Sequence, residues 1–387
     1  MKRNIIFLLL SVSVLSTFAQ SYKMVIHVNE GVIQGNEDNI ISIPVDAIKE
    51  VTFEEVESIP ESSTPITFQI EDYIAVPTRA IATTTSALTN RKYGVFGCYN
   101  NGEPLNPSKV VANLINNQEL KYIDGSWTYS PIVYWPEKNE SSNYASFFAY
   151  SPYSENGNNE YVKVSSSSTP VIEYESTDPM NDAGDLLYGN SLNTTQDNNN
   201  GCVNIQSRHA LAKFNLYAVS TIDQISPGSP LSATKITIES ITISGMIPNK
   251  GSFNLYSQQW ENRSADVQTY KIEGDNLSPD LRDAGDKSAA NQPVGVQTVS
   301  KQIGVSPFLF IPTEGEQEIT VTVKYYVTTD DPNLSSGYSR IQNVITKRIN
   351  LKLEQGYEYN LKIILGLTTV KIDTTSSVWG DSNNISF

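Results

Sequence analysis

Apolar and polar residues alternate along most of the chain. In "EITVTVK" the apolar residues are Ile319, Val321 and Val323, with Thr320, Thr322 and Lys324 between them. The same period of two recurs in "YKMVIHV", in "ITIESITIS" and on both sides of Gly356 in "INLKLEQGYEYNLKIIL". A period of two predicts β-strands with one buried face, and the Asn, Gly, Ser and Pro clusters between them predict turns. The sequence therefore predicts an all-β, sandwich-like fold of short antiparallel strands.

Helical spacing is rare. The best candidate for a helix is Pro107–Leu120, where Val110, Val111, Leu114 and Ile115 share one side of a helical wheel. We therefore expect few helices, all of them short.

Polar stretches divide the chain into parts. "ESIPESSTP" (57–65) and "STIDQISPGSPLSA" (220–233) predict joints, and "NSLNTTQDNNNG" (190–201) predicts a long loop. The first 20 residues predict a signal peptide, as argued below, and their removal leaves 387 − 20 = 367 residues, a length that favours two domains. The predicted parts are a signal peptide (1–20), an N-terminal β leader and linker (21–63, called the leader), a first β-sandwich domain (64–222) and a second one (223–387).

The N-terminus predicts export. Lys2 and Arg3 precede a short apolar run over residues 5–15, and Thr-Phe-Ala precedes the predicted cleavage after Ala19 or Gln20. The run is too short to span a bilayer, and no later segment is expected to span one as a helix. No cysteine lies near the cleavage point, so we expect no lipid attachment there.

The chain is strongly acidic. It has 27 basic and 42 acidic residues, and loss of Lys2 and Arg3 changes the net charge to 25 − 42 = −17. Such a charge disfavours nucleic acid and anionic lipid as partners and favours solubility outside the cell.

Cys98 and Cys202 are the two cysteines of the chain. An exported protein meets oxidising conditions, so they form either one disulfide or two separate buried thiols. Sequence alone leaves both alternatives open, because a disulfide requires the two Cα atoms to lie close together.

Residues that carry catalysis or bind metals are scarce. The histidines are His27 and His209, and no nucleophile-elbow, zinc-protease or paired-cysteine motif occurs. No pair of carboxylates points to a glycosidase. The acidic loop with Asp275, Asp280, Asp283 and Asp286 lacks EF-hand spacing and is interpreted as a solvated loop. We expect no enzyme, no cofactor and no metal.

A block of aromatic residues runs from Trp127 to Tyr153. It contains nine aromatic rings and three charged residues, so it is either a surface that stacks on a sugar or the inside of a sheet. Trp127, Tyr129 and Trp135 share one parity, which favours a sandwich core. Exposed apolar patches of this size are unusual, so we expect most of these rings to be core, with Tyr134 and Tyr144 the best candidates to face outward.

An ordered series of landmarks points to a family. The series is "WTYSPIVYWP", "SFFAYSPY", "GDLLYGN", "RHALAKFNL", "KGSFNL", "FLFIPTE" and "LEQGYEYNLKIIL". From Ile66 to Trp379 the chain resembles the fimbrillin family, the pilins and related surface subunits of type V pili in anaerobic Gram-negative bacteria.

The resemblance implies two transthyretin-like β-sandwich domains and assembly by strand exchange. A protease cut after Arg79, in "PTRAIATT", removes the leader and the strand of "ITFQIEDYIAV", and Arg91-Lys92 is a competing cut site. A strand of the next subunit then fills the groove. The C-terminal segment with Val370, Ile372 and Trp379 is the candidate donor, unless it is an ordinary closing strand of the second domain.

One departure bears on the role of the chain. Precursors of the family's shaft pilins commonly carry a cysteine at the signal cleavage point, and this chain does not. An accessory, tip or non-polymerising subunit at the cell surface, in a pilus or at the outer membrane is therefore as consistent with the sequence as a shaft role. The expected partners are other fimbrillin subunits and a glycan or protein receptor on a host or bacterial surface. The alternative function is a secreted carbohydrate-binding surface protein that does not polymerise.

Overall fold

The structure is a computed structural model. It describes residues 22–28, 34–35, 41–42, 48–55, 61–73, 86–137, 143–155, 159–164, 169–176, 179, 184–220, 234–273 and 301–379. Contacts divide the chain into two compact units, residues 1–62 and 63–387.

The first unit contains the leader strands. β1 (Tyr22–Val28) pairs antiparallel with β4 (Ile48–Glu55), from Tyr22 opposite Glu55 to Val28 opposite Ile48. Two very short strands follow β1 in the sequence, and they pair with each other. They are β2 (Gln34–Gly35) and β3 (Ile41–Ser42). β5 (Glu61–Pro65) pairs with β10 (Tyr134–Pro136).

Two sheets form the first sandwich of the second unit. The seven-stranded sheet contains, in spatial order, β6 (Thr67–Asp72), β15 (Cys202–His209), β14 (Leu187–Thr194), β11 (Tyr144–Ser151), β7 (Tyr93–Gly102), β8 (Ile115–Ile123) and β9 (Ser126–Thr128). The facing sheet contains β12 (Val162–Val164), β13 (Val171–Glu175), β18 (Lys250–Asn254) and β19 (Gln259–Glu261). Their shared core includes Phe148, Tyr150, Ile172, Phe253 and Trp260.

Two four-stranded sheets form the second sandwich. One contains β21 (Lys301–Phe310), β16 (Ala212–Ser220), β24 (Tyr357–Leu365) and β25 (Val370–Val378). The other contains β20 (Gln268–Glu273), β17 (Lys235–Gly245), β22 (Gln317–Asp330) and β23 (Tyr338–Leu351). Ile319, Val321 and Val323 of β22 are buried in the core between them, on the face that the alternation predicts.

The chain crosses between the sandwiches. β16 precedes the predicted boundary at residue 222 but pairs with β21 and β24 of the second sandwich. β18 and β19 follow that boundary but belong to the first sandwich, where β18 pairs with β13. Residues 221–233 lie outside the described residues, and the division at residue 222 stays a prediction.

The all-β prediction is confirmed, but the helix predicted over Pro107–Leu120 is wrong. Residues 107–114 form a turn, irregular backbone and a bend, and β8 begins at Ile115. The Asn113 side chain accepts a hydrogen bond from Tyr99 N at 2.8 Å and donates one to Tyr99 O at 2.9 Å. These bonds hold the segment on β7, and such tertiary pairing overrides a weak local helical pattern. The described residues contain one short α-helix, α1 (Ser86–Thr89), and a 3-10 turn at Asn198–Gly201.

The central strands of the seven-stranded sheet, β7 and β11, are buried on both faces over most of their length. Phe147 and Phe148 are neighbours on β11, both have no exposed surface, and they belong to different core clusters on opposite faces of the sheet. A strand buried on both faces shows a continuous apolar run rather than alternation. Among the described residues, no helix has the length and apolarity needed to cross a membrane.

We predict that Phe147→Ala and Phe148→Ala each lower the free energy of unfolding by about 3–5 kcal/mol, because each leaves a cavity in a different core. Urea denaturation of the two variants measures this. The control is Lys121→Ala at an exposed position of β8, with an expected change under about 0.5 kcal/mol. A near-neutral result for either phenylalanine would contradict burial of both faces.

Candidate assembly site

β6 lies at one edge of the seven-stranded sheet and pairs with a single neighbour in that sheet. It runs parallel to β15, with Thr67 opposite Cys202, Phe68 opposite Val203 and Ile70 opposite Ile205. The other five strand pairs of this sheet are antiparallel. Because β6 is parallel to β15 and distant from it in sequence, a tight hairpin cannot join the two strands. No short connection therefore holds β6 against β15.

The apolar face of this segment is anchored in the core. Ile66 and Ile70 are fully buried and Phe68 is 4% exposed. The Phe68 ring packs edge-on against Tyr129 and Phe147, at 5.5 and 5.6 Å between centroids. Each fully buried Ile or Phe side chain stabilises the fold by about 1.5–3 kcal/mol. The pocket that receives these side chains is here called the β6 groove, and its walls include Tyr129, Trp135, Phe147, Val203 and Ile205.

Hydrogen bonds fix the start of the segment. The Ile66 amide donates to Val133 O at 2.9 Å, and the Tyr129 hydroxyl donates to Ile66 O at 2.8 Å. Burial raises the pKa of Tyr129 to about 12, so this hydroxyl remains a donor at physiological pH. Further along the groove, Trp135 Nε1 donates to Gly201 O at 2.9 Å. Gly201 has φ +83°, and a Cβ there would lie 3.0 Å from Thr64 Cγ2.

The end of the segment is held by Tyr73. Its amide donates to Ser207 O at 3.0 Å, and the Arg208 guanidinium lies 3.9 Å from the centre of its ring. The predicted protease site Arg79 follows shortly after but lies outside the described residues, as do the signal-cleavage residues Ala19 and Gln20. These cleavages stay predictions.

The competing cut site at Arg91-Lys92 is described, and both side chains have partners. Arg91 Nη2 donates to Asp185 Oδ2 at 2.9 Å, and Arg91 Nη1 donates to Asp185 O at 3.1 Å. Lys92 Nζ lies 2.7 Å from Glu119 Oε1. An arginine that must leave an ion pair before it enters a protease is a poorer substrate than one in an exposed loop.

The candidate donor segment is bound within its own subunit. β25 is an edge strand paired antiparallel with β24 along its full length, and Val370 is 4% exposed. Ile372 packs, half-buried, against the core of the second sandwich. Trp379 packs against the core of the first sandwich, and its amide donates to Gly356 O at 2.8 Å.

Both cysteines are free, so the alternative of a disulfide does not hold in this structure. Cys98 is on β7 and Cys202 on β15, with β11 and β14 between them. Three interstrand spacings separate the two residues by about 14 Å, twice the separation of Cα atoms that a disulfide spans. Burial raises the pKa of Cys98 to about 12, and Cys202 is partly exposed beside β6.

The aromatic block forms core, as predicted. Trp127 and Tyr129 are at least 90% buried, and Trp135 has no exposed surface. Tyr134 is exposed, as expected, whereas Tyr144 is half-buried. The alternation missed Phe148 and Tyr150, which point to the opposite face and fill the other core.

The predicted acidic loop at residues 275–286 lies outside the described residues. Within the ranges that the structure does describe, no group of three or more His, Cys, Asp or Glu side chains could hold a metal ion. His209 belongs to a cluster with Asp185 and Trp379, which is described below.

Comparison with known proteins identifies the family. The model of the fimbrillin-like family matches residues 78–379, and the chain belongs to this family. It is 22% identical over 348 residues to the fimbrium subunit Fim1C of Phocaeicola vulgatus, a match that covers 82% of this chain and 90% of that protein. The crystal structure of a fimbrial protein from Bacteroides vulgatus has the same fold, with a TM-score of 0.58, 19% identity, and coverage of 81% of this chain and 99% of that one.

We predict that Tyr129→Phe loosens β6. The substitution removes the hydroxyl that bonds the buried Ile66 carbonyl, at a cost of about 1–3 kcal/mol. Hydrogen exchange of the amides of residues 66–72, followed by mass spectrometry, measures the local effect. The control is Tyr134→Phe at an exposed ring of the same segment, and equal exchange in both variants would show that the Tyr129 hydroxyl does not hold β6.

Proposed function

We propose that this chain is an exported subunit of a cell-surface fimbria that assembles by strand exchange at the β6 groove. A cut after Arg79 releases the leader and β6, and an extended strand of another fimbrillin subunit takes the place of β6. The observation that carries this proposal is the position of β6. It is an edge strand with one neighbour in its sheet, it buries Phe68 and Ile70, and it ends at Asp72, seven residues before the predicted cut site at Arg79.

The physical chemistry of the emptied groove favours its refilling. Loss of β6 exposes the pocket lined by Tyr129 and Phe147 and leaves the β15 backbone groups without their partners. Buried backbone groups that lose their hydrogen bonds are costly, and an exposed apolar edge recruits another strand. A donated strand satisfies both needs, and because the contact is head-to-tail, it builds a filament.

The C-terminal segment that contains Val370, Ile372 and Trp379 is our candidate donor. β25 has the properties of a transferable strand, since it is extended over nine residues, lies at a sheet edge and pairs on one side only. Both β6 and β25 are paired within one chain, which is the arrangement expected of a subunit before such an exchange.

Non-enzymatic surface roles are consistent with the family, whose members include fimbrial subunits. The predicted signal peptide directs export, and the net charge of 25 − 42 = −17 that remains after its removal suits a soluble extracellular surface. The alternative, a carbohydrate-binding protein that does not polymerise, has less support, because Trp127 and Trp135 are buried and cannot stack on a sugar.

A disulfide lock tests the proposal. Thr67 is exposed and lies directly opposite Cys202 on the neighbouring strand, so Thr67→Cys places two thiols at a distance that a disulfide spans. We predict that the oxidised variant, digested with trypsin, gives no ladder of polymers on an unboiled denaturing gel, because β6 stays bonded to β15. The same protein after reduction gives the ladder.

The matched control is the double variant Thr67→Cys, Cys202→Ser, which cannot form this bond and is expected to behave as the reduced protein under both conditions. Buried Cys98 remains unchanged in all samples. A ladder from the oxidised single variant would show that β6 is not the strand that is exchanged.

A further inference from the structure

A cluster of side chains binds the end of the C-terminal strand to the first sandwich. The Trp379 ring stacks on the His209 ring, with 3.5 Å between centroids and 9° between planes. His209 is the last residue of β15, whereas Trp379 directly follows β25. The stack therefore joins a strand end of the first sandwich to a strand end of the second.

A buried carboxylate orients the imidazole of His209. His209 Nδ1 lies 3.0 Å from Asp185 Oδ1, and Arg91 Nη2 bonds the other carboxylate oxygen at 2.9 Å. The Asp185 side chain is 5% exposed. A carboxylate buried to this extent needs both partners, so the His209 ring is held in one orientation rather than free to rotate.

Backbone contacts complete the cluster. The Gly356 carbonyl accepts from the Trp379 amide at 2.8 Å, and the Gly356 amide donates to Leu211 O at 3.0 Å. Gly356 has φ +71°, and a Cβ there would lie 3.4 Å from His209 O. Lys213 Nζ lies 5.6 Å from the centre of the Trp379 ring and 3.4 Å from Glu358 Oε2.

The cluster also lies beside the β6 groove. The last pair between β6 and β15 is Asp72 opposite Ser207, two residues before His209. Arg208, between them, packs on the ring of Tyr73. Removal of β6 and Tyr73 therefore takes away the neighbours of Ser207 and Arg208 on one side of this strand end, whereas β14, which pairs with Arg208 and His209 on the other side, remains.

We propose that His209 and Trp379, supported by Asp185 and Arg91, form a C-terminal clasp that keeps β25 paired in its own subunit and restrains it from acting as a donor. This inference rests on the proposed function, since it concerns the regulation of that exchange. The clasp is an autoinhibitory contact. It lowers the fraction of time that β25 is open, and it weakens when the cut removes β6 from β15.

Hydrogen exchange on the full chain tests the clasp. In Trp379→Ala and His209→Ala we expect the amides of residues 370–378 to exchange about tenfold faster, because stacked ring pairs of this kind contribute that much to a local opening equilibrium. Arg340→Ala is the matched control, since it removes a contact between Arg340 and the Tyr326 ring on the other sheet of the same sandwich. Unchanged exchange of residues 370–378 in both clasp variants overturns the proposal.

A further variant distinguishes local opening of β25 from unfolding of the whole sandwich. The amides of β22, a central strand of the facing sheet, report the stability of the whole sandwich. If the β22 amides also exchange faster in the alanine variants, the His209→Phe variant is used to test the clasp instead. It keeps a ring against Trp379 but loses the bond to Asp185, and we expect it to accelerate exchange of residues 370–378 while β22 stays protected. Equal protection of β25 in this variant and the wild type overturns the proposal.

The effect on assembly separates this inference from the proposed function. After trypsin digestion, the clasp variants should form the polymer ladder faster than the wild type. Faster exchange of β25 with an unchanged rate of ladder formation overturns the restraint on assembly. If neither the wild type nor any variant forms a ladder, strand exchange itself fails, whereas the exchange of residues 370–378 still decides whether the clasp holds β25.

Discussion

The structure depends on the burial of one short edge segment. Ile66, Phe68 and Ile70 fill a pocket between the seven-stranded sheet and the aromatic segment around Tyr129. Without them, the apolar side of β15 and the rings of Phe147 and Trp135 lose their cover. The interaction is strong because the side chains are fully buried, yet it is separable because β6 joins its sheet through one parallel neighbour.

The same constraint explains the density of aromatic residues from Trp127 to Tyr153. A sheet buried on both faces needs large apolar side chains at consecutive positions, and β11 supplies Phe147 to one core and Phe148 to the other. The rings of this segment thus fill two cores, one on each face of the sheet. This arrangement leaves a firm groove wall against which β6 packs, and with which a replacement strand of similar shape would also pack.

Local sequence patterns predicted the parts of this fold that local physics determines. Ile319, Val321 and Val323 alternate because β22 has one buried face, and the all-β class follows from many such segments. The parallel pairing of β6 with β15 joins residues far apart in sequence, so no local pattern shows it. The predicted helix at Pro107–Leu120 failed for the same reason, since the bonds between Asn113 and Tyr99 are tertiary. At the candidate site, the sequence predicted strands in the β6 segment and in the C-terminal segment. It did not predict the side chains that contact these segments, such as Tyr129 and His209.

The central claim is that β6 is replaced by a strand of another subunit. A cryo-electron microscopy structure of fimbriae assembled from this chain tests it most directly, at a resolution that shows side chains in the β6 groove. The account predicts a strand of a neighbouring subunit beside Cys202–Ser207, with apolar side chains where Ile66, Phe68 and Ile70 lie in the subunit before exchange. Filaments in which each subunit retains its own Ile66–Ile70 segment in that groove would contradict the account.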